Sequence, residues 1–480
     1  MRTTFQRGIA LALAYVVLPN ATFAATAVPL DELVKRPYLE LSEQAPDFSF
    51  THEQLEAFRK DLARQRKAED ERLRKEEKDL DSKLKDLRDQ LSSLNKETSS
   101  DTPAAAATRQ RVHCEILSLE KTQREKRVER QTGMPVSFDN KLAKVDLIER
   151  WPALKQGIVK TIADGKARQR IHGDVEDIGV RKGEPNQEKD IKLGEDALKD
   201  LKLHSLMPRE VDNKDIKNYV QTMADRVAAN SDVKVPVKLT ILHSEEINAF
   251  ALPGGFLFVN TGLIDKTATD SELAGVVAHE LAHVAARHGA KLTKRANVAN
   301  MLYQMAQIAV MIGTGGFGTI GTYYLFQAGF LGLGLFLDLS LLGVNREFEA
   351  EADQLGAQYA WKSGYDPRGF ITFFDTMASE KGYIQSASFF RTHPPYFERI
   401  LSTLSEVEYL PKSTDAAIDS SAFHKMKTAL TEELKQEKQR TKDAPSLRRE
   451  PPCPEENKDK KDKKDKLSDA GSCFVCAATE

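Results

Sequence analysis

His279-Glu280-Leu281-Ala282-His283 is the part of this sequence whose residue types and spacing could do chemistry. Inside a helical pattern, histidines four residues apart share one face. Two imidazoles can then hold one Zn²⁺ while Glu280 abuts the water that the ion activates. With 10 His in 480 residues, chance alone would place about 0.02 such motifs in the chain. The flanking Ala274, Gly275, Ala278, Ala282, Ala285 and Ala286 are small enough for other elements to approach this helix closely.

A third ligand follows by elimination. One common zinc-site spacing would need His at 289 and Gly at 286, where Gly289 and Ala286 stand. Another would need Glu at 303, which is Tyr303, and no Glu occurs between His283 and Glu347. The next carboxylates form a ladder, Glu347, Glu349, Glu351 and Asp353, on a helical pattern that runs through Tyr359. Helical geometry splits the ladder into two faces. Glu347 and Glu351 share theirs with Gln354 and Gln358, which predicts a solvated face. Glu349 and Asp353 share theirs with Ala352, Gly356 and Ala360, suited to docking on the small-residue His279 helix. Glu349 is therefore the expected third ligand. Asp353, one turn on, is expected to accept the outer N–H of a ligand histidine.

The elements around these residues fall into blocks. From Thr51 to Lys96 there is no Gly and no Pro, and 24 of the 41 residues from Glu56 to Lys96 are charged. Leu80, Leu84, Leu87, Leu91 and Leu94 alternate spacings of four and three, a heptad seam. After a break at residues 97–107, a second charged helix is expected from about Thr108 to Arg130. The pair reads as an antiparallel helical hairpin or coiled coil, either a partner-binding arm or a solvated, weakly packed one. Helical pattern resumes near Asn140, and from Ile191 the texture becomes globular. Val233 to His243, Ala249 to Leu252 and Phe256 to Asn260 read as strands, the last two around Pro253-Gly254-Gly255. Met301 to Val344 is a 44-residue apolar stretch without Glu, Lys or Arg, cut by a glycine-rich turn at Gly313 to Gly318.

Arg2 and Arg7 precede an apolar run from Gly8 to Leu18, and small residues follow up to Ala27, the three parts of a signal peptide in order. Export, most simply into a bacterial periplasm, is the expectation. Lys+Arg total 70 against 72 Asp+Glu, so no global charge bias points to nucleic acid as a partner. A mean hydropathy of −0.46 excludes a polytopic membrane protein but leaves room for one membrane-touching element. Four cysteines are too few for a disulfide-built scaffold; Cys453, Cys473 and Cys476 all sit in the Lys-rich end of the chain.

These residues resemble a family. Asn248-Ala-Phe-Ala-Leu-Pro-Gly-Gly255, Asn260-Thr-Gly-Leu263, Glu272 to His279 and the His279–His283 motif are similar to the gluzincin group that holds the HtpX-type proteases and the CAAX prenyl endopeptidases. The likeness continues through Arg287-His-Gly289, Glu349-Ala-Glu-Ala-Asp353, Gly364-Tyr-Asp-Pro367 and Thr392-His-Pro-Pro395, in the family's order from about Ile191 to Leu404. The resemblance implies an endopeptidase with one zinc per chain on His279, His283 and Glu349, and Glu280 as the base that activates water. It also implies that His393 reaches the site to stabilise the oxyanion or cap the zinc, or is instead only a turn histidine held by two prolines. Tyr396 and Arg399 are weaker candidates. The Phe256–Asn260 strand is a candidate sheet edge for an extended, unfolded protein substrate.

The expected fold is α+β and mainly helical: a gluzincin domain with a small antiparallel sheet, plus an N-terminal helical hairpin. In domains, residues 1–27 form a signal peptide, 28–135 the arm, 136–190 a helical connector, 191–410 the peptidase domain with an apolar hairpin insertion at 301–344, and 411–480 a Lys-rich disordered tail. Two other functions fit some of the residues. One is an inactive chaperone or scaffold built on the arm, against which the complete set of His279, Glu280, His283 and Glu349 argues, since loss of one member would be its expected sign. The other is an integral membrane protease anchored by residues 301–344, against which Asp338 and the glutamines of that stretch would be costly in lipid.

Overall fold

A computed structural model describes residues 28–96, 102–166, 171–181, 186–203, 207–295, 345–379, 397–412 and 416–443. The expected signal peptide, the 301–344 stretch, His393, Tyr396 and the three C-terminal cysteines lie outside these residues.

Two short helices, α1 (Leu30–Leu33) and α2 (Tyr38–Gln44), lead into α3 (His52–Lys96), 45 residues in one piece. With neither Gly nor Pro to break it, α3 is about 68 Å long at 1.5 Å per residue. Helix α4 (Pro103–Val128) starts earlier than expected: Thr102 caps it through the Ala105 N–H, and the alanines join its first turns. Its Val112 and Ile116 pack with Leu84 of α3, flanked by Leu87, Leu91, Leu94 and Leu119. One π turn, Glu129–Gly133, carries the chain into α5 (Met134–Ala163). Pro135 sits in the first turn of α5, directly after the π turn, and the chain stays helical through it.

The lower part of α3, with Leu55, Leu62 and Leu73 buried, belongs to the main core together with α2 and α5. Trp151 of α5 is fully buried, and its indole N–H donates to the Ser42 carbonyl at 2.8 Å. Lys144 pairs at 2.8 Å with Asp375, which also accepts the Tyr38 N–H.

Beyond α6 (Gln187–Leu203) and α7 (Lys214–Ala229) come β1 (Lys238–Leu242), β2 (Ala249–Leu252) and β3 (Phe256–Asn260). Their order is β1-β3-β2, with β1 parallel and β2 antiparallel to β3. The sheet is therefore mixed rather than antiparallel, because the β1–β2 connection crosses over to the far side of β3. Gly254 and Gly255, at φ +81° and +88°, close the β2–β3 hairpin. β3 is buried at all five positions, as a central strand should be, so it is not the expected edge.

Then follow α8 (Thr261–Lys266), α9 (Asp270–Ala285), α10 (His288–Arg295), α11 (Asn345–Lys362), α12 (Gly369–Ser379), α13 (Phe397–Tyr409) and α14 (Ser421–Asp443). Helix α9 is capped by Thr269, which accepts the Glu272 N–H, while the Glu272 carboxylate reaches back to the Ala268 N–H. It packs against α7, α11, α12 and β2, and every residue from Asp270 to Ala285 except His283 is buried. A helix so enclosed needs small residues all round, which is what its alanines and Gly275 supply. Helix α14 corrects the expectation of an unstructured chain after Pro411. Phe423, Met426 and Leu430 make an apolar stripe at three- and four-residue spacing that packs on α7 and α8, and Lys427 donates to the Ile264 and Thr267 carbonyls. Among the described residues, no helix is long and apolar enough to cross a membrane.

Candidate metal centre

One turn of α9 separates His279 from His283, and their Nε2 atoms lie 3.1 Å apart. Helix α11 brings Glu349 to both, Oε2 at 3.5 Å from His279 Nε2 and Oε1 at 3.4 Å from His283 Nε2. A tetrahedral ion with bonds of about 2.0–2.1 Å separates neighbouring ligand atoms by about 3.3 Å. The three donors are thus spaced as one face of such a tetrahedron, and two imidazoles with one carboxylate suit zinc. Among the described residues this is the one group of three His, Cys, Asp or Glu side chains that could hold a metal ion. Glu280, next to His279, is buried, and its charge is felt by Arg399.

Glu349 reaches the histidines because α11 lies very close to α9. At Gly356 a Cβ would come within 3.0 Å of the His279 Cα and 3.1 Å of its backbone nitrogen. The void left along this seam is only about 10 Å³. Gly356→Ala is therefore expected to push α11 outward, costing about 1–3 kcal/mol of stability and weakening metal uptake. Wild-type melting and metal affinity in that variant would show that the two helices have slack.

Asp353 sits one turn beyond Glu349, fully buried, with Oδ1 at 3.0 Å from His279 Nδ1. Arg399 of α13 donates to both Asp353 oxygens, at 2.7 and 2.8 Å, and its Nη1 lies 3.0 Å from Glu349 Oε2. One guanidinium fork thus holds both carboxylates. Burial opposes the ionisation of Asp353, but Arg399 and His279 hold its carboxyl below the ordinary aspartate range. Burial likewise opposes protonation of His279, yet its bonds to Asp353 and Glu349 raise it above the ordinary histidine value. A metal at Nε2 must displace that proton, so metal uptake should weaken as the pH falls.

The other face of α11 departs from expectation. Glu347 is exposed as expected, but Gln354 and Gln358 are buried, and both amides donate to the Gly173 carbonyl at 3.0 Å. Gln358 also donates to Glu406 of α13. The polar, glycine-bearing segment 171–181 covers this face and satisfies its amides, so polarity here does not mean solvent. Glu351 is only partly exposed and meets His288 at 3.1 Å. His288 follows Arg287, whose φ of 56° reverses the chain after α9 and whose side chain is clamped by Asp190 at 2.6 and 2.7 Å. Burial holds His288 below the ordinary histidine value despite the opposite pull of Glu351. Sequence reasoning gave His288 no role. Its place next to the motif helix was the signal available, inside Arg287-His-Gly289.

Residues 212–407 match Peptidase family M48. The beta-barrel assembly-enhancing protease of Yersinia pestis is 28% identical over 218 residues, 44% of this chain and 43% of the relative. The mitochondrial metalloendopeptidase OMA1 of Schizosaccharomyces pombe is 28% identical over 208 residues, 43% of this chain and 56% of the relative. Metalloprotease LoiP of Escherichia coli is 31% identical over 192 residues, 39% of this chain but 69% of the relative. The chain belongs to peptidase family M48. It spans less than half the length of the beta-barrel assembly-enhancing proteases that it matches. The matched region holds all of α9 and α11 and residues 397–407 of α13, the three helices that build the cluster.

Proposed function

We propose that the chain is a zinc-dependent endopeptidase of the bacterial periplasm that cleaves unfolded or misassembled envelope proteins. The observation that carries this is the convergence of His279, His283 and Glu349 on one point, with ligand-atom separations of 3.1 to 3.5 Å. These three would hold the zinc. Zinc, when bound, supplies Lewis acidity toward the scissile carbonyl and makes a water molecule more acidic.

Glu280 is the proton carrier. Its carboxylate takes a proton from the attacking water as the new C–O bond forms, and delivers it to the amine nitrogen as the C–N bond breaks. Asp353 orients His279, and Arg399 holds the Asp353 carboxyl below the ordinary aspartate range while pairing with Glu349 at 3.0 Å. Strand β2, outermost in the sheet order and packed beside α9, takes the place first expected of β3 as the edge for an extended substrate. Backbone pairing of that kind selects unfolded chain over sequence. The envelope setting is supported by the signal-peptide pattern of the first 27 residues and by the names of the bacterial relatives.

Zinc content and casein cleavage compared between wild type and Glu280→Gln test the assignment. Both proteins should carry about one zinc per chain, while cleavage by the variant should fall by at least about 100-fold. Retained cleavage by zinc-replete Glu280→Gln contradicts it.

A further inference from the structure

Beside the three donors lies a second set of side chains that the peptidase chemistry does not use. His288 is buried, and its Nδ1 stands 2.8 Å from Nδ1 of His283, the ring nitrogen turned away from Glu349. On its other side Nε2 stands 3.1 Å from Glu351 Oε2. The Glu351 Oε1 is in turn 3.5 Å from His172 Nδ1. The His288 ring is stacked on Phe348 with centroids 4.2 Å apart and planes 11° apart, so it cannot swing freely.

We propose that His288 and Glu351 are a positioning pair for His283, fixing its tautomer and ring orientation through a two-step hydrogen-bond relay. The proposal rests on the zinc assignment above. If Nε2 of His283 gives its lone pair to a metal, its proton must sit on Nδ1. His288 Nδ1 then accepts that proton, which places the second proton of the relay on His288 Nε2, facing the Glu351 carboxylate. One assignment satisfies both contacts. With the His283 proton held on Nδ1, a proton on His288 Nδ1 as well would set two N–H groups face to face at 2.8 Å.

The ladder on α11 thereby serves both ligand histidines. Asp353 meets the outer nitrogen of His279 directly, whereas Glu351, on the side of α11 that faces α10, reaches His283 only through an intervening ring. Ligand imidazoles anchored by an outer acceptor are better bases and lose less freedom on binding a metal.

Two substitutions at one position separate positioning from packing. His288→Phe keeps the ring on Phe348 but removes the acceptor; His288→Asn loses the ring but sets a carbonyl oxygen where Nδ1 stood. Zinc affinity, measured by competition with a chromophoric chelator, should fall about 10–100-fold in His288→Phe and stay within a few-fold of wild type in His288→Asn. Glu351→Leu should weaken zinc, and Glu351→Gln, whose carbonyl still accepts, should not. A merely structural histidine predicts the reverse order at position 288. Wild-type affinity in His288→Phe, or equal losses in the Phe and Asn variants, overturns the proposal. Glu349→Gln measured alongside keeps the failures apart: tight zinc in that variant refutes the metal site itself, whereas its loss there with no effect at 288 refutes only the relay.

Discussion

Arg399→Leu is expected to destabilise the metal-free protein by about 3–5 kcal/mol, the range for removing one partner of a buried charge cluster. Arg399 is 4% exposed and is the cation that meets both Asp353 and Glu349. Leucine would fill much of the volume and pair with neither carboxylate. The pH dependence gives the loss a signature. Asp353 is held below its ordinary range, chiefly against burial and by Arg399. A depressed folded-state value contributes stability that is present above the unfolded pKa, about 3.9, and is lost as the pH falls through the folded value. Without Arg399, burial prevails and Asp353 takes up a proton more readily. The deficit of the variant should then be largest near pH 7 and shrink toward pH 4. Urea unfolding of chelator-treated proteins across that range measures it. A deficit below about 1 kcal/mol, typical of an exposed ion pair, or one that does not change with pH, would mean that Arg399 mainly fills space.

Much of the centre was legible in the sequence because it rests on helix periodicity. His279 and His283 share a face at any helix phase, and Gly356 beside Glu349 and Asp353 marks the side of α11 that comes within van der Waals distance of α9. Periodicity says which residues share a face and not what covers it. Gln354 and Gln358 are polar, so they read as solvated, yet segment 171–181 and Glu406 satisfy their amides in the interior. His288 was out of reach for a related reason. It approaches His283 only because Arg287 turns the chain at φ 56°, a conformation that no local propensity of arginine suggests.

The same limit applies to the scaffold. Strand order is a nonlocal property, so the apolar run Phe256–Asn260 could be recognised as a strand but not as the central one. In α14 the stripe of Phe423, Met426 and Leu430 is short and set among lysines and glutamates, and a charge-based reading passes over it. The long α3 was the reverse case: its lack of breakers announced the helix, but Leu73 joined the main core from within a stretch that reads as polar.

Glu349→Gln is expected to strip the protein of zinc, and it addresses the central claim most directly. Two imidazoles alone hold zinc weakly against water, so removing the carboxylate that lies 3.5 and 3.4 Å from them should remove the ion, not merely loosen it. Glu347, exposed on the same helix, is the internal control. The measurement is zinc per chain in wild type, Glu347→Gln and Glu349→Gln after dialysis against a weak chelator. The account predicts about one zinc in the first two proteins and close to none in Glu349→Gln. A Glu349→Gln protein that keeps its zinc, with Glu347→Gln emptied in its place, would contradict it.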